Sequence, residues 1–69
     1  MLSDFLKRKI ERLPVILSIK ETAAFFSIHY LTVYRMIRSG ELPAWKDEDG
    51  IWCILRDDVK KYCSRRSNL

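Results

Sequence analysis

Arg35 and Arg38 stand three residues apart in the run Tyr30-Leu31-Thr32-Val33-Tyr34-Arg35-Met36-Ile37-Arg38, with Leu31 four residues before Arg35. Positions i, i+4 and i+7 share one face of a helix, so these three side chains form one stripe if the segment is helical. A guanidinium offers five N–H donors in a rigid fork, a shape that fits the O6/N7 edge of guanine or a phosphate. The hydroxyls of Tyr30 and Tyr34 suit phosphate oxygens. Leu31 suits a thymine methyl or a protein contact. Lys46 and Arg56 are further cations downstream. This set recognises; it does not make or break bonds.

Other chemistries lack their residues. His29 is the single histidine, and the two cysteines, Cys53 and Cys63, are ten positions apart. A structural zinc site takes about four ligands, so no protein-only metal site is expected. There is no Ser/His/Asp set with a plausible pocket and no glycine-rich loop to cradle phosphate, with only 2 Gly in the chain. The chain has 69 residues, room for one domain and too little to enclose a substrate. No enzymatic activity, cofactor or small-molecule ligand is expected. The thiols read as reduced and partly buried in a cytoplasmic protein. No apolar run approaches the ~18 residues of a membrane span, and Met1 to Lys9 puts its charges after its apolar residues, the reverse of a secretory signal.

The net charge is +4, which favours an anionic partner. It is unevenly spread. Lys7, Arg8, Lys9 and Arg12 outweigh Asp4 and Glu11 in the first 17 residues, and the last 14 are basic as well. Between them Asp47-Glu48-Asp49 forms an acidic patch. Basic ends supply affinity for a phosphate backbone without reading sequence.

Elements must hold these groups in place. Leu2, Phe5, Leu6, Ile10 and Leu13 fall on one helical stripe, with Ser3 as its cap and Pro14 as its stop; Lys9 lies on that stripe and must snorkel. The stripe either packs on the protein's own core or offers a surface for a dimer. Val15-Ile16-Leu17 is a short extended piece. Ser18-Ile19-Lys20-Glu21 reads as a capping box opening a two-turn helix to Phe26. Ser27-Ile28-His29 breaks the chain. A second helix spans about 30–39, with Gly40 able to terminate it. Its Val33, Met36 and Ile37 face the core, and Tyr30 and Tyr34 flank them. Ala44-Trp45-Lys46 and Ile51-Trp52-Cys53-Ile54 read as two strands around Asp49-Gly50, a hairpin signal. The two tryptophans read as ribbon packing rather than stacking platforms. Asp57 and Asp58 open a last helix that Lys60 and Lys61 help to close. Val59, Tyr62 and Cys63 form its inner face.

The expected fold is mainly α with a small β-hairpin: a winged helix-turn-helix with an extra N-terminal helix. Residues 1–14 are that helix, 15–63 the winged domain, and 64–69 a frayed, basic polar tail.

Ser18 to Tyr62 resembles the excisionase/MerR-type winged-helix family. The likeness rests on Leu17-Ser18-Ile19-Lys20-Glu21-Thr22-Ala23, on Thr32-Val33-Tyr34-Arg35-Met36-Ile37-Arg38-Ser39-Gly40-Glu41-Leu42-Pro43, on Trp52 and Ile54, and on Arg56 to Tyr62. The resemblance implies sequence-specific binding of double-stranded DNA. The second helix would enter the major groove and the wing would lie over an adjacent minor groove. The family's groove-facing positions fall on Leu31, Thr32, Tyr34, Arg35 and Arg38. The expected role is a small transcriptional regulator or an excisionase-like recombination factor, cytoplasmic and nucleoid-associated; the small footprint of one such module on DNA calls for a homodimer or a recombinase or polymerase partner.

Three departures matter. Ser27 stands where the family usually has glycine, so a left-handed turn there would be strained and a different turn is expected. His29 replaces a serine cap, and would cap less well while being able to donate to a phosphate. The acidic wing tip would be repelled by phosphates, which makes Lys46 and Arg56 the better contacts on that side. It also opens a second reading: a protein-interaction module on the same scaffold, using the acidic wing and Leu31.

Overall fold

The computed structural model describes residues 3–67. Helix α1 (Asp4–Glu11) begins where Ser3 accepts the Leu6 N–H at 3.2 Å. It ends three residues before Pro14. Its apolar stripe divides. Ile10 is buried, Leu6 and Leu13 are half-buried, and Phe5 is 73% exposed under the Lys9 ammonium. Leu2 lies outside the described residues.

The extended piece after Pro14 is a strand, β1 (Ile16–Leu17). Ser18 and Glu21 then close the capping box, with each backbone N–H donated to the other's side chain at 3.1 and 2.9 Å. This starts α2 (Ile19–Phe26). Thr22, fully buried, satisfies its hydroxyl on the Ser18 carbonyl at 2.9 Å, so the core carries no orphan polar atom there.

Ser27 takes the left-handed conformation after all, at φ 57° and ψ 44°. The expected avoidance is overturned because the turn satisfies two backbone donors: Ser27 N–H reaches Ala24 O at 3.2 Å and Ile28 N–H reaches Ala23 O at 3.0 Å. This is a Schellman turn, and its bonds offset a left-handed cost of roughly 1–2 kcal/mol. The same pair of bonds ends α3 (Tyr30–Arg38) at Gly40, which sits at φ 83°: Gly40 to Ile37 O and Glu41 to Met36 O. His29 caps α3. Its Nδ1 accepts the Leu31 N–H at 3.2 Å, which leaves Nε2 for any outside partner.

The ribbon is larger than a hairpin. Strands β2 (Trp45–Lys46) and β3 (Trp52–Leu55) pair antiparallel, and β1 adds to the other edge of β3, giving the order β1-β3-β2. Ile51, expected in the second strand, belongs to the loop. Asp47 Oδ1 accepts both the Asp49 and the Ile51 N–H at 2.9 Å, and Gly50 takes φ 78°. The loop therefore spans five residues, and the pairs are Trp45↔Cys53 and Lys46↔Trp52.

Helix α4 (Arg56–Ser67) runs on through residues 64–67, so these are not a frayed tail. Arg65 donates to the Glu41 carbonyl at 3.1 Å and Arg66 lies over the Tyr62 ring at 5.4 Å, which holds the last turn down. Residues 68 and 69 lie outside the described residues. Leu17, Ala23, Val33, Met36, Leu42, Ile54 and Val59 form one core, with Phe26, Ile37 and Tyr62 packed against it.

The Asp47 carboxylate sets the loop length. Asp47→Ala should destabilise the chain by about 1–2 kcal/mol through two lost charge-assisted bonds, checked by urea unfolding. A change under about 0.3 kcal/mol would contradict that role.

Candidate nucleic-acid interface

The two Schellman turns fix α3 between α2 and the wing. Val33 and Met36 are buried and Ile37 packs against the core, as the pattern requires. The opposite stripe is free. Leu31, Arg35 and Arg38 are all exposed, and the Arg35 guanidinium makes no hydrogen bond, ion pair or ring contact among the described residues. An unpartnered fork at the middle of an exposed helix is ready to take an outside acceptor.

One flank of this stripe is built from aromatic rings and cations. The Arg38 guanidinium lies 5.9 Å from the Tyr34 ring centre. Tyr34 meets Trp52 edge-on at 6.4 Å and 75°. The Lys46 ammonium lies 5.1 Å from the Trp52 ring. Arg38, Tyr34, Trp52 and Lys46 thus form a continuous row from α3 to β2. It places two positive charges at its ends and ties the wing to the helix. T-shaped ring pairs contribute about 0.5–1.5 kcal/mol and exposed cation–π contacts about 0.5–1 kcal/mol. Trp52 is the member that sequence reasoning assigned to ribbon packing. Its partner on α3 is eighteen residues away in the chain, and only the Lys46↔Trp52 register brings them together.

Tyr30 is about half exposed and stacks on His29 at 4.6 Å, at the start of α3. Thr32 lies on the other flank. It lines a groove of about 680 Å³ with Leu6, Phe26, Met36 and Tyr62. Arg56 stands apart from the row. Its Nη1 donates to the Glu11 and Leu13 carbonyls at 3.3 and 3.0 Å, and its backbone N–H to Val15 O at 2.8 Å. These bonds strap α1 and β1 to the root of the wing. Cys63 also lines the groove, and burial raises its thiol pKa, so it is a poor nucleophile. Among the described residues no group of three His, Cys, Asp or Glu side chains could hold a metal ion, and no helix is long and apolar enough to cross a membrane.

Two short helices at a tight turn, an exposed cationic stripe on the second, and a wing docked beside it define a winged helix-turn-helix. The chain belongs to the helix-turn-helix domain family, whose pattern it matches over residues 16–67. No curated protein and no solved structure matches it.

The row predicts coupling between helix and wing. A double-mutant cycle of Tyr34→Leu and Trp52→Leu, read by urea unfolding, should return a coupling of about 0.5–1.5 kcal/mol. A coupling near zero would mean the rings lie near each other without holding the wing.

Proposed function

We propose that this chain is a sequence-specific binder of double-stranded DNA with no catalysis of its own. It acts in the cytoplasm on the nucleoid, as a small transcriptional regulator or as an excisionase-like accessory to a recombinase. Helix α3 enters the major groove. The observation that carries this reading is the free Arg35 guanidinium at the centre of the exposed stripe, with the Arg38–Tyr34–Trp52–Lys46 row beside it. Arg35 reads a base edge, with guanine O6 and N7 as the matching acceptors. Arg38 and Lys46, at the ends of the row, neutralise phosphates, and Tyr34 and Tyr30 donate hydroxyls to phosphate oxygens. Thr32 sits at the groove-side border of the footprint and Leu31 meets a thymine methyl. Arg56 enters as the residue that fixes the wing's root.

The helix-turn-helix family supports this reading, since the fold exists to present one helix to a groove. Size limits it. One module of this kind buries about 600–1,000 Å² on DNA, so useful affinity needs a second copy, adjacent sites, or a recombinase or polymerase partner. The exposed Leu31 and the acidic tip, Asp47 to Asp49, favour one rival: a protein-interaction module on this scaffold.

Selection from random duplexes should enrich one motif. Arg35→Ala should flatten the preference at a cost of about 1–3 kcal/mol. Arg38→Ala should weaken all sequences alike and reduce the salt slope by about one. If nothing is enriched and Arg35→Ala binds as the parent does, the rival stands.

A further inference from the structure

Cations lie over aromatic rings at four places among the described residues. Two of them, Arg38 on Tyr34 and Lys46 on Trp52, belong to the row on the wing flank of α3. The other two stand on the opposite flank. The Lys9 ammonium lies 5.5 Å from the Phe5 ring centre, and the Arg66 guanidinium 5.4 Å from that of Tyr62. Their helices, α1 and α4, pack on each other. Lys9, Arg66 and the exposed Thr32 of α3 line the same groove, so the pair borders α3 on the side away from the wing. A ring face steadies a cation without cancelling its charge. Neither Lys9 nor Arg66 donates a hydrogen bond or joins an ion pair among the described residues, so their N–H donors stay open. The exposure of Phe5, at 73%, has a use on this view: the ring is a platform for Lys9.

We propose that Lys9 and Arg66 hold phosphates of the DNA strand that lies across the major groove from the strand met by Arg38 and Lys46. The inference rests on the DNA reading and gives α1 a place in it. The major groove is about 12 Å wide, and a helix with its side chains is about 10–12 Å across. A helix seated there meets a wall of phosphates on each flank. The wing flank has its two cations. On the other flank α2 ends without a base, and Thr32 offers only a hydroxyl. Lys9 and Arg66 bring positive charge to that flank from the neighbouring helices.

Glu41 works against them, because it lines the same groove. Arg65 stands beside Glu41 as well, donating to its carbonyl at 3.1 Å. The rim therefore sets Lys9, Arg65 and Arg66 against one acid, and its balance is positive. Contacts of this kind add affinity and orientation without reading sequence.

The test uses the full chain and the duplex it selects. Lys9→Gln combined with Arg66→Gln should lower the slope of log affinity on log salt by about two and leave the enriched motif unchanged. Ethylation of single phosphates then locates the loss. In the parent, the phosphates whose ethylation blocks binding should fall on both strands. The double variant should lose its set on one strand and keep the other, and Lys46→Gln should weaken the opposite set. Phe5→Ala keeps the charge but removes its platform, and should weaken binding to every sequence by about two- to fivefold. Glu41→Gln should tighten binding. Circular dichroism should be unchanged in each variant. A salt slope equal to the parent's in the double variant, or interference that persists on both strands, overturns the proposal and leaves the reading by Arg35 standing. A parent that enriches no duplex removes both.

Discussion

The orientation of β3 is set at one carboxylate. Asp47 holds the N–H groups of Asp49 and Ile51, and this makes the loop five residues long. Strand side chains alternate with a period of two, so a slip of one residue would turn every side chain of β3 to the opposite face. With the loop as it is, Ile54 enters the core, Trp52 meets Tyr34, and Lys46 reaches the Trp52 ring. Cys53 and Leu55 turn outward by the same count. The core, the helix-to-wing row and the bare outer face are three results of one register.

The helix-turn-helix half follows a parallel logic with different groups. Ser18 and Glu21 start α2, and two Schellman turns end α2 and α3. The turns fix the directions in which the helices leave. Burial of Val33 and Met36 then fixes the rotation of α3 about its own axis. Once that rotation is set, Leu31, Arg35 and Arg38 have nowhere to point but outward. Arg56 links the halves: it straps the end of α1 and the start of β1 to the strand-to-helix junction after β3. In a chain this short, where folding leaves only a few kcal/mol, one guanidinium on two carbonyls matters.

Local signals were legible in the sequence. The capping box, the stop before Pro14, the span of α2 and the inner stripe of α3 depend on residues within one or two turns of each other, and the structure agrees with each. The free outer stripe with Arg35 was legible for the same reason. What escaped was non-local or went against propensity. The third strand needs Leu17 to find Ile54 across most of the chain, and the Arg56 strap joins residues more than forty positions apart. Trp52 could not be assigned to the row without the register. Ser27 reads as a poor left-handed residue, but the packing of α2 on α3 and two backbone bonds outweigh that preference. The polar composition of residues 64–67 does not show the hold of Glu41 on Arg65, which keeps them in α4.

The proposed reading of the major groove by α3 through Arg35 is tested most directly by methylation interference on a selected duplex, because dimethyl sulfate marks guanine N7 in the major groove and adenine N3 in the minor groove. One methylated guanine should block the parent chain, and residual binding by Arg35→Ala should no longer sense it. Interference confined to adenine N3, or a guanine signal that survives Arg35→Ala unchanged, would contradict it.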